Sequence, residues 1–212
     1  MAEKIIKPKK FTKEWYGYIW DYYKAHILIG IGALIFISIL AFNMLTSVKF
    51  DTNINFVATT VLSAEKSEQL SKACSLNSDD LNENGRVDIA INQLNFTKEN
   101  KENSEMNQAL LEKLMVLLNS TDELLFVVDE QMLPQVALTQ YSADIFYKVS
   151  EWNGEQIKTD NEYAMSLCDS TILKELGIDG TDLYVLVAKT DADAGFKPEE
   201  ENAIKIAKFL SK

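Results

Sequence analysis

From Ile27 to Thr46 the chain runs for 20 residues without a charge, ILIGIGALIFISILAFNMLT. At about 1.5 Å of rise per residue, a helix of that length spans about 30 Å, the thickness of a bilayer's hydrocarbon core. This stretch predicts a transmembrane helix, and it divides the chain. Residues 1–13 form a basic tail and residues 14–48 a juxtamembrane segment and span. Residues 49–212 are long enough for one domain with a sizeable core. The apolar run exceeds the roughly 7–15 residues of a signal peptide's core. No small-x-small site and no cysteine follows it, so an uncleaved anchor is expected.

Charge orients the anchor. The 212 residues hold 21 basic and 32 acidic groups, a net of −11. Residues 1–24 hold six lysines against Glu3, Glu14 and Asp21, a net of +3, and the span holds none. That leaves 15 basic and 29 acidic groups, a net of −14, beyond it. Basic residues beside a span stay cytoplasmic, so the N-terminus is expected inside the cell membrane and the acidic domain outside. An acidic domain is repelled by phosphate backbones, which argues against a nucleic-acid partner. Between tail and span lie Trp15, Tyr16, Tyr18, Trp20, Tyr22, Tyr23 and Lys24. Amphipathic rings and a basic anchor suit the headgroup layer, so membrane lipid is the expected partner there, with a partner's membrane helices as the sharper reading. The helix is expected to start near Thr12 or Lys13.

The outer domain alternates its periodicities. Strands are expected over Thr52–Thr59, Arg86–Leu94, Leu124–Val128 and Leu183–Ala188. Ser63 can cap a helix to Ser75, with Leu70, Ala73 and Cys74 inward. Met106, Leu110, Leu114, Leu117 and Leu118 mark a helix over Glu105–Asn119, with Leu111 and Met115 widening its inner stripe. Short helices are expected over Gln131–Thr139 and Ser170–Leu176, and a last one from Pro198. Asp144–Trp152 alternates like a strand, and Asn153–Gly154 is the dipeptide of a tight hairpin turn. This order predicts an α/β domain: one layered unit with a mostly parallel sheet and a small hairpin.

One motif has metal-ligand spacing. Asp80, Asn82 and Asn84 stand at positions 1, 3 and 5 of a loop, Gly85 at 6, Arg86 at 7 and Asp88 at 9. That is the oxygen spacing of an EF-hand calcium loop, in which glycine permits the sharp turn. The bidentate acid at position 12 is missing, since Ile91 stands there. The competing reading is an Asn/Gly turn whose side chains bond their own backbone. If a cofactor binds at all, it is low-affinity calcium.

A catalytic set is not visible. His26, at the membrane edge, is the chain's one histidine, so the outer domain has no Ser-His or Cys-His pair and no histidine metal site. No Gly-rich phosphate loop occurs. Carboxylates such as Asp129–Glu130 sit where solvated loops or caps would place them. Cys74 and Cys168 either pair outside the cell or stand apart, Cys74 being placed like a buried small hydrophobe.

The leader Trp15…Trp20-Asp21-Tyr22-Tyr23-Lys24-x-His26 and the following apolar run resemble small single-pass membrane proteins of Gram-positive, clostridia-like bacteria. The Asp80–Asp88 loop and the strand near Leu124–Asp129 extend the likeness loosely over most of the chain. The resemblance implies an outer domain like one lobe of an extracellular solute-binding protein. It implies recognition and no enzymatic activity. The expected role is a membrane-anchored binding or accessory domain with a membrane or cell-surface protein partner. The alternatives are a membrane-complex subunit acting through its span and a calcium-responsive surface protein.

Overall fold

A computed structural model of the protein describes residues 11–46, 50–137, 141–154, 161–190 and 196–212. It separates into two compact units, 1–48 and 49–212. The first unit contains, among its described residues, one helix, α1 (Lys13–Thr46). Thr12 starts it, its hydroxyl accepting from the Trp15 amide at 3.3 Å. Tyr23–Phe42 has a mean hydropathy of 2.5 and none of it is buried, so it is long and apolar enough to cross a membrane. Tyr16, Trp20, Tyr23 and Lys24 are exposed on it. The Tyr18 and Tyr22 side chains lie outside the described residues.

The second unit is a five-stranded mixed sheet covered on both faces, hence α/β. Its strands are β1 (Thr52–Ala58), β2 (Ile89–Asn95), β3 (Leu125–Asp129), β4 (Met165–Ser166) and β5 (Leu183–Val187). They stand in the order β2-β1-β3-β5-β4. β1 pairs in parallel with β2 and β3, while β5 pairs antiparallel with β3 and β4. The expected mostly parallel sheet is therefore corrected to a mixed one. Periodicity reports burial but not direction, and β5 is as apolar as a buried parallel strand.

The connections explain the layers. α2 (Ala64–Ser75) carries the chain from β1 out to β2. The return to β3 crosses back over β1 through α3 (Lys98–Glu102) and α4 (Ser104–Leu118). Crossovers of one hand in opposite directions lie on opposite faces of a sheet. Accordingly Leu70 and Cys74 of α2 join one core layer with Ile54, Phe56 and Val127. Leu114 of α4 joins the other with Val57, Phe126 and Val128. α9 (Pro198–Leu210) packs Ala203, Ile206, Ala207 and Leu210 into the α2 layer. The remaining short helices are α5 (Leu133–Val136), α6 (Ser142–Ile145), α7 (Val149–Asn153) and α8 (Thr171–Glu175).

Three local expectations are corrected. Asp144–Trp152 is not a strand: α6 and α7 flank a single antiparallel bridge, Phe146 to Ala188. Phe146 and Tyr147 point into opposite core layers, which produces the alternation with only a few extended residues. Gly154 (φ 75°) caps α7 in the left-handed region instead of turning a hairpin. Residues 155–160, which follow the dipeptide of the expected small hairpin, lie outside the described residues. Leu111 and Met115 are exposed, because the side of α4 that meets the sheet is narrower than its apolar stripe. The two cysteines are free, Cys74 buried on the inner side of α2 and Cys168 exposed. Burial pushes the Cys74 thiol up to about 12.

β2 begins at Ile89 and not at Arg86, and Asp51 is the reason. Its buried carboxylate accepts from the Leu81 amide (2.8 Å) and the Asn82 amide (3.0 Å) with Oδ1, and from the Asp88 amide (2.8 Å) with Oδ2. One side chain thus ties the start of β1 to the whole 80–88 loop. Asp51→Ala strands three backbone donors, two of them at one oxygen. The expected loss is roughly 2–4 kcal/mol, with Asp51→Asn intermediate. It is read as a lower urea midpoint at unchanged slope.

Candidate functional site

The Asp80–Asp88 loop forms, with its oxygens turned to its own backbone. Asp80 Oδ1 accepts from the Asn84 amide (3.2 Å) and Oδ2 from the Gly85 amide (2.7 Å). Asn82 accepts from the Asn84 amide and Asn84 from the Arg86 amide, at 3.1 and 2.9 Å. Arg86 Nε lies 2.6 Å from Asp88 Oδ2. Glu83 (φ 55°) and Gly85 (φ 85°) both take the left-handed turn. The five residues are brought together, and the oxygen spacing is used as the Asn/Gly turn uses it. Among the described residues, no three His, Cys, Asp or Glu side chains converge in a way that would hold a metal.

A second place emerges from topology. The chain leaves β1 toward α2 on one face of the sheet and leaves β3 toward α5 on the other. Adjacent parallel strands whose exits diverge open a crevice at their carboxyl ends. Here it holds about 150 Å³, lined by Thr59, Thr60, Asp129, Glu130, Asp179 and Asp182 among others. β5 runs the other way, so the loop before it, with Asp179 and Asp182, reaches the same end. The Glu130 amide donates to the Asp182 carbonyl at 2.8 Å, closing the floor.

Asp129 is the buried member. Its Oδ2 accepts from the Thr59 amide at 2.6 Å and the Thr59 hydroxyl at 2.5 Å, and its Oδ1 from the Met132 amide at 2.9 Å. Asp129 therefore staples the exit of β1 to the exit of β3, with three donors on its two oxygens. Thr181 donates its hydroxyl (2.7 Å) and amide (3.0 Å) to Asp179, which holds that exposed carboxyl below the usual aspartate range. The rim is thus negative, a charge that would attract a cationic group. A loop position was expected for Asp129; only the strand pairing turns it inward.

The opposite end carries a wider cleft of about 530 Å³, lined by Phe50, Asp51, Asp122, Thr190, Lys197 and Glu199 among others. Beside it, Glu123 accepts from Asn53 Nδ2 (3.1 Å) and Asn55 Nδ2 (2.7 Å). Nearby, buried Glu200 gathers the hydroxyl of Tyr147 (3.1 Å), the amide and hydroxyl of Thr190 (2.7 and 2.9 Å) and the Lys197 amide (2.8 Å). Burial pushes the Glu200 carboxyl up, but these donors outweigh it and hold it below the ordinary glutamate value. The same contact, with burial foremost, pushes the Tyr147 hydroxyl up to about 12. Neither group had a sequence signal beyond the acidic first turn of α9.

Comparison with protein-family models, with curated proteins and with solved structures yields no match to this chain.

The Glu200 cluster gives a pH test. A depressed folded value contributes stability above the unfolded value, about 4.3, and that stability is lost as pH falls through the folded value. Glu200→Gln is expected to destabilise at neutral pH. The gap to the unsubstituted protein narrows below about pH 4.3, as read by denaturation midpoints from pH 3 to 7. At the crevice, Asp129→Ala is expected to raise amide exchange at Thr59 and Met132 while leaving the β1–β2 ladder protected.

Proposed function

We propose that this chain is a membrane-anchored recognition module, with α1 as the anchor and residues 49–212 as an extracytoplasmic domain that binds a protein or ligand at the cell surface. The observation that carries this reading is the helix itself. Twenty residues with a mean hydropathy of 2.5, none of them buried, support an apolar surrounding such as a bilayer. The lysines before it support this direction, N-terminus inside. The acidic crevice at the carboxyl ends of β1 and β3 is one place on the domain where open space and carboxylates coincide, and it supports a contact there.

Protease added to intact cells is expected to remove residues 49–212 and spare the N-terminal tail; protection of the domain overturns the topology. Crosslinking on intact cells from the crevice rim, through a photo-reactive group at Thr60, is expected to capture a surface partner, and capture is expected to fall with Asp182→Lys. Failure to capture any partner removes the recognition role while leaving the anchor intact.

The alternative is a membrane-complex subunit that acts through Trp15–Thr46. Replacing that segment with an unrelated span separates the two, since function survives under the first reading and fails under the second. A calcium-responsive role requires the 80–88 oxygens, now bonded to the loop's own amides, to turn to an ion. Calorimetry with millimolar calcium tests it, heat being expected from the natural loop and absent with Asp80→Ala.

A further inference from the structure

β2 is an edge strand, paired with β1 alone in the order β2-β1-β3-β5-β4. Its pairing is regular over seven consecutive residues, with no bulge. Its sequence, IAINQLN, has no charge and no proline. Edge strands are normally blunted by those very devices, because a row of open backbone groups invites another strand.

The open groups can be located. The Phe96 amide donates to the Ala58 carbonyl, and the Asp88 carbonyl accepts from the Asp51 amide. Backbone groups of a strand alternate sides, so even-numbered residues of β2 face β1 and odd-numbered ones face outward. At the two ends, outward carbonyls are engaged by side chains. The Ser71 hydroxyl donates to the Ile89 carbonyl at 2.7 Å, and Asn100 Nδ2 donates to the Asn95 carbonyl at 2.7 Å. Between them Ile91 and Gln93 each present an amide and a carbonyl outward. This window is symmetric about Asn92.

We propose that the outer edge of β2 is an interface with a second copy of this chain, the two β2 strands pairing antiparallel about a two-fold axis at Asn92. In that register Ile91 and Gln93 of one copy exchange hydrogen bonds with Gln93 and Ile91 of the other, so the four groups of this window are used in each copy. Ala90 faces Leu94, Ile89 faces Asn95 and Asn92 faces itself. Within β2 no charge opposes a like charge, although the domain as a whole is acidic. The match is isologous, as a two-fold interface requires. It joins two five-stranded sheets into one of ten. The inference is independent of whether α1 crosses a membrane.

Asn92 would form a non-hydrogen-bonded antiparallel pair, with α-carbons about 4.5 Å apart. That lies within the roughly 4.4–6.8 Å a disulfide spans. Ala90 of one copy lies four residues, roughly 13 Å, along the strand from Ala90 of the other, beyond a disulfide's reach. The full chain in detergent, carrying Cys168→Ser, is given Asn92→Cys or Ala90→Cys and mildly oxidised. Asn92→Cys is expected to run as a disulfide-linked dimer on a non-reducing gel, and Ala90→Cys as a monomer. Neither crosslinking, or both crosslinking equally, overturns the proposal. A second measurement uses mass in detergent. Asn92→Lys is expected to be monomeric, and mixing it with Asn92→Asp to restore the dimer. A mass unchanged by Asn92→Lys overturns the edge as the interface.

Discussion

Buried carboxylates surrounded by backbone amides hold β1, an inner strand of the sheet, in place. β1 is bonded on both sides, to β2 over seven positions and to β3 over four. At its entrance Asp51 gathers the amides of Leu81, Asn82 and Asp88. At its exit Asp129, from the neighbouring strand, gathers the amide and hydroxyl of Thr59. A buried carboxylate without donors costs far more than it returns, whereas one with two or three charge-assisted bonds fixes geometry strongly. Both ends of β1 are thereby committed, and the loops that leave them are too. The 80–88 turn and the crevice at 59–60 and 129–131 are consequences of these two anchors.

The same device recurs away from β1. Glu200, in the first turn of α9, collects donors from Tyr147, Thr190 and its own N-terminal turn. A carboxylate there also meets the positive end of the helix. It joins α9 to the end of β5 and to the Phe146–Ala188 bridge region. Burial of acidic groups thus accounts for a part of this domain's cohesion, although its net charge of −14 favours a solvated acidic surface. The surplus remains on the rims, at Glu130, Asp179 and Asp182 at one end and Asp122 and Glu199 at the other.

Some elements were legible because a single local signal specified them. The serine cap at Ser63 accepts from the Lys66 amide, and Pro198 stands in the first turn of α9. Leu125–Val128 and Leu183–Val187 are buried strands, as their unbroken apolar runs predict. Other elements were misread because one pattern serves two structures. The alternation at 144–152 reflects two neighbouring residues inserted in opposite cores. Asn153–Gly154 supplies a left-handed residue, which a helix end uses as readily as a hairpin. β4 has two residues, too few for any period. Asp129 gave no hint of burial, because its partner Thr59 lies 70 residues away.

By itself the sequence determined that there is one helix long and apolar enough for a membrane, where its charge asymmetry lies, and that an α/β domain follows. These follow from composition and from periods of 3.6 and 2, which are properties of the local chain. Tertiary structure alone decided the direction of β5, the placement of β2 at an open edge and the crevice where β1 and β3 diverge. Those depend on which strands become neighbours. Pairing energy between residues tens of positions apart leaves no periodic trace in either partner.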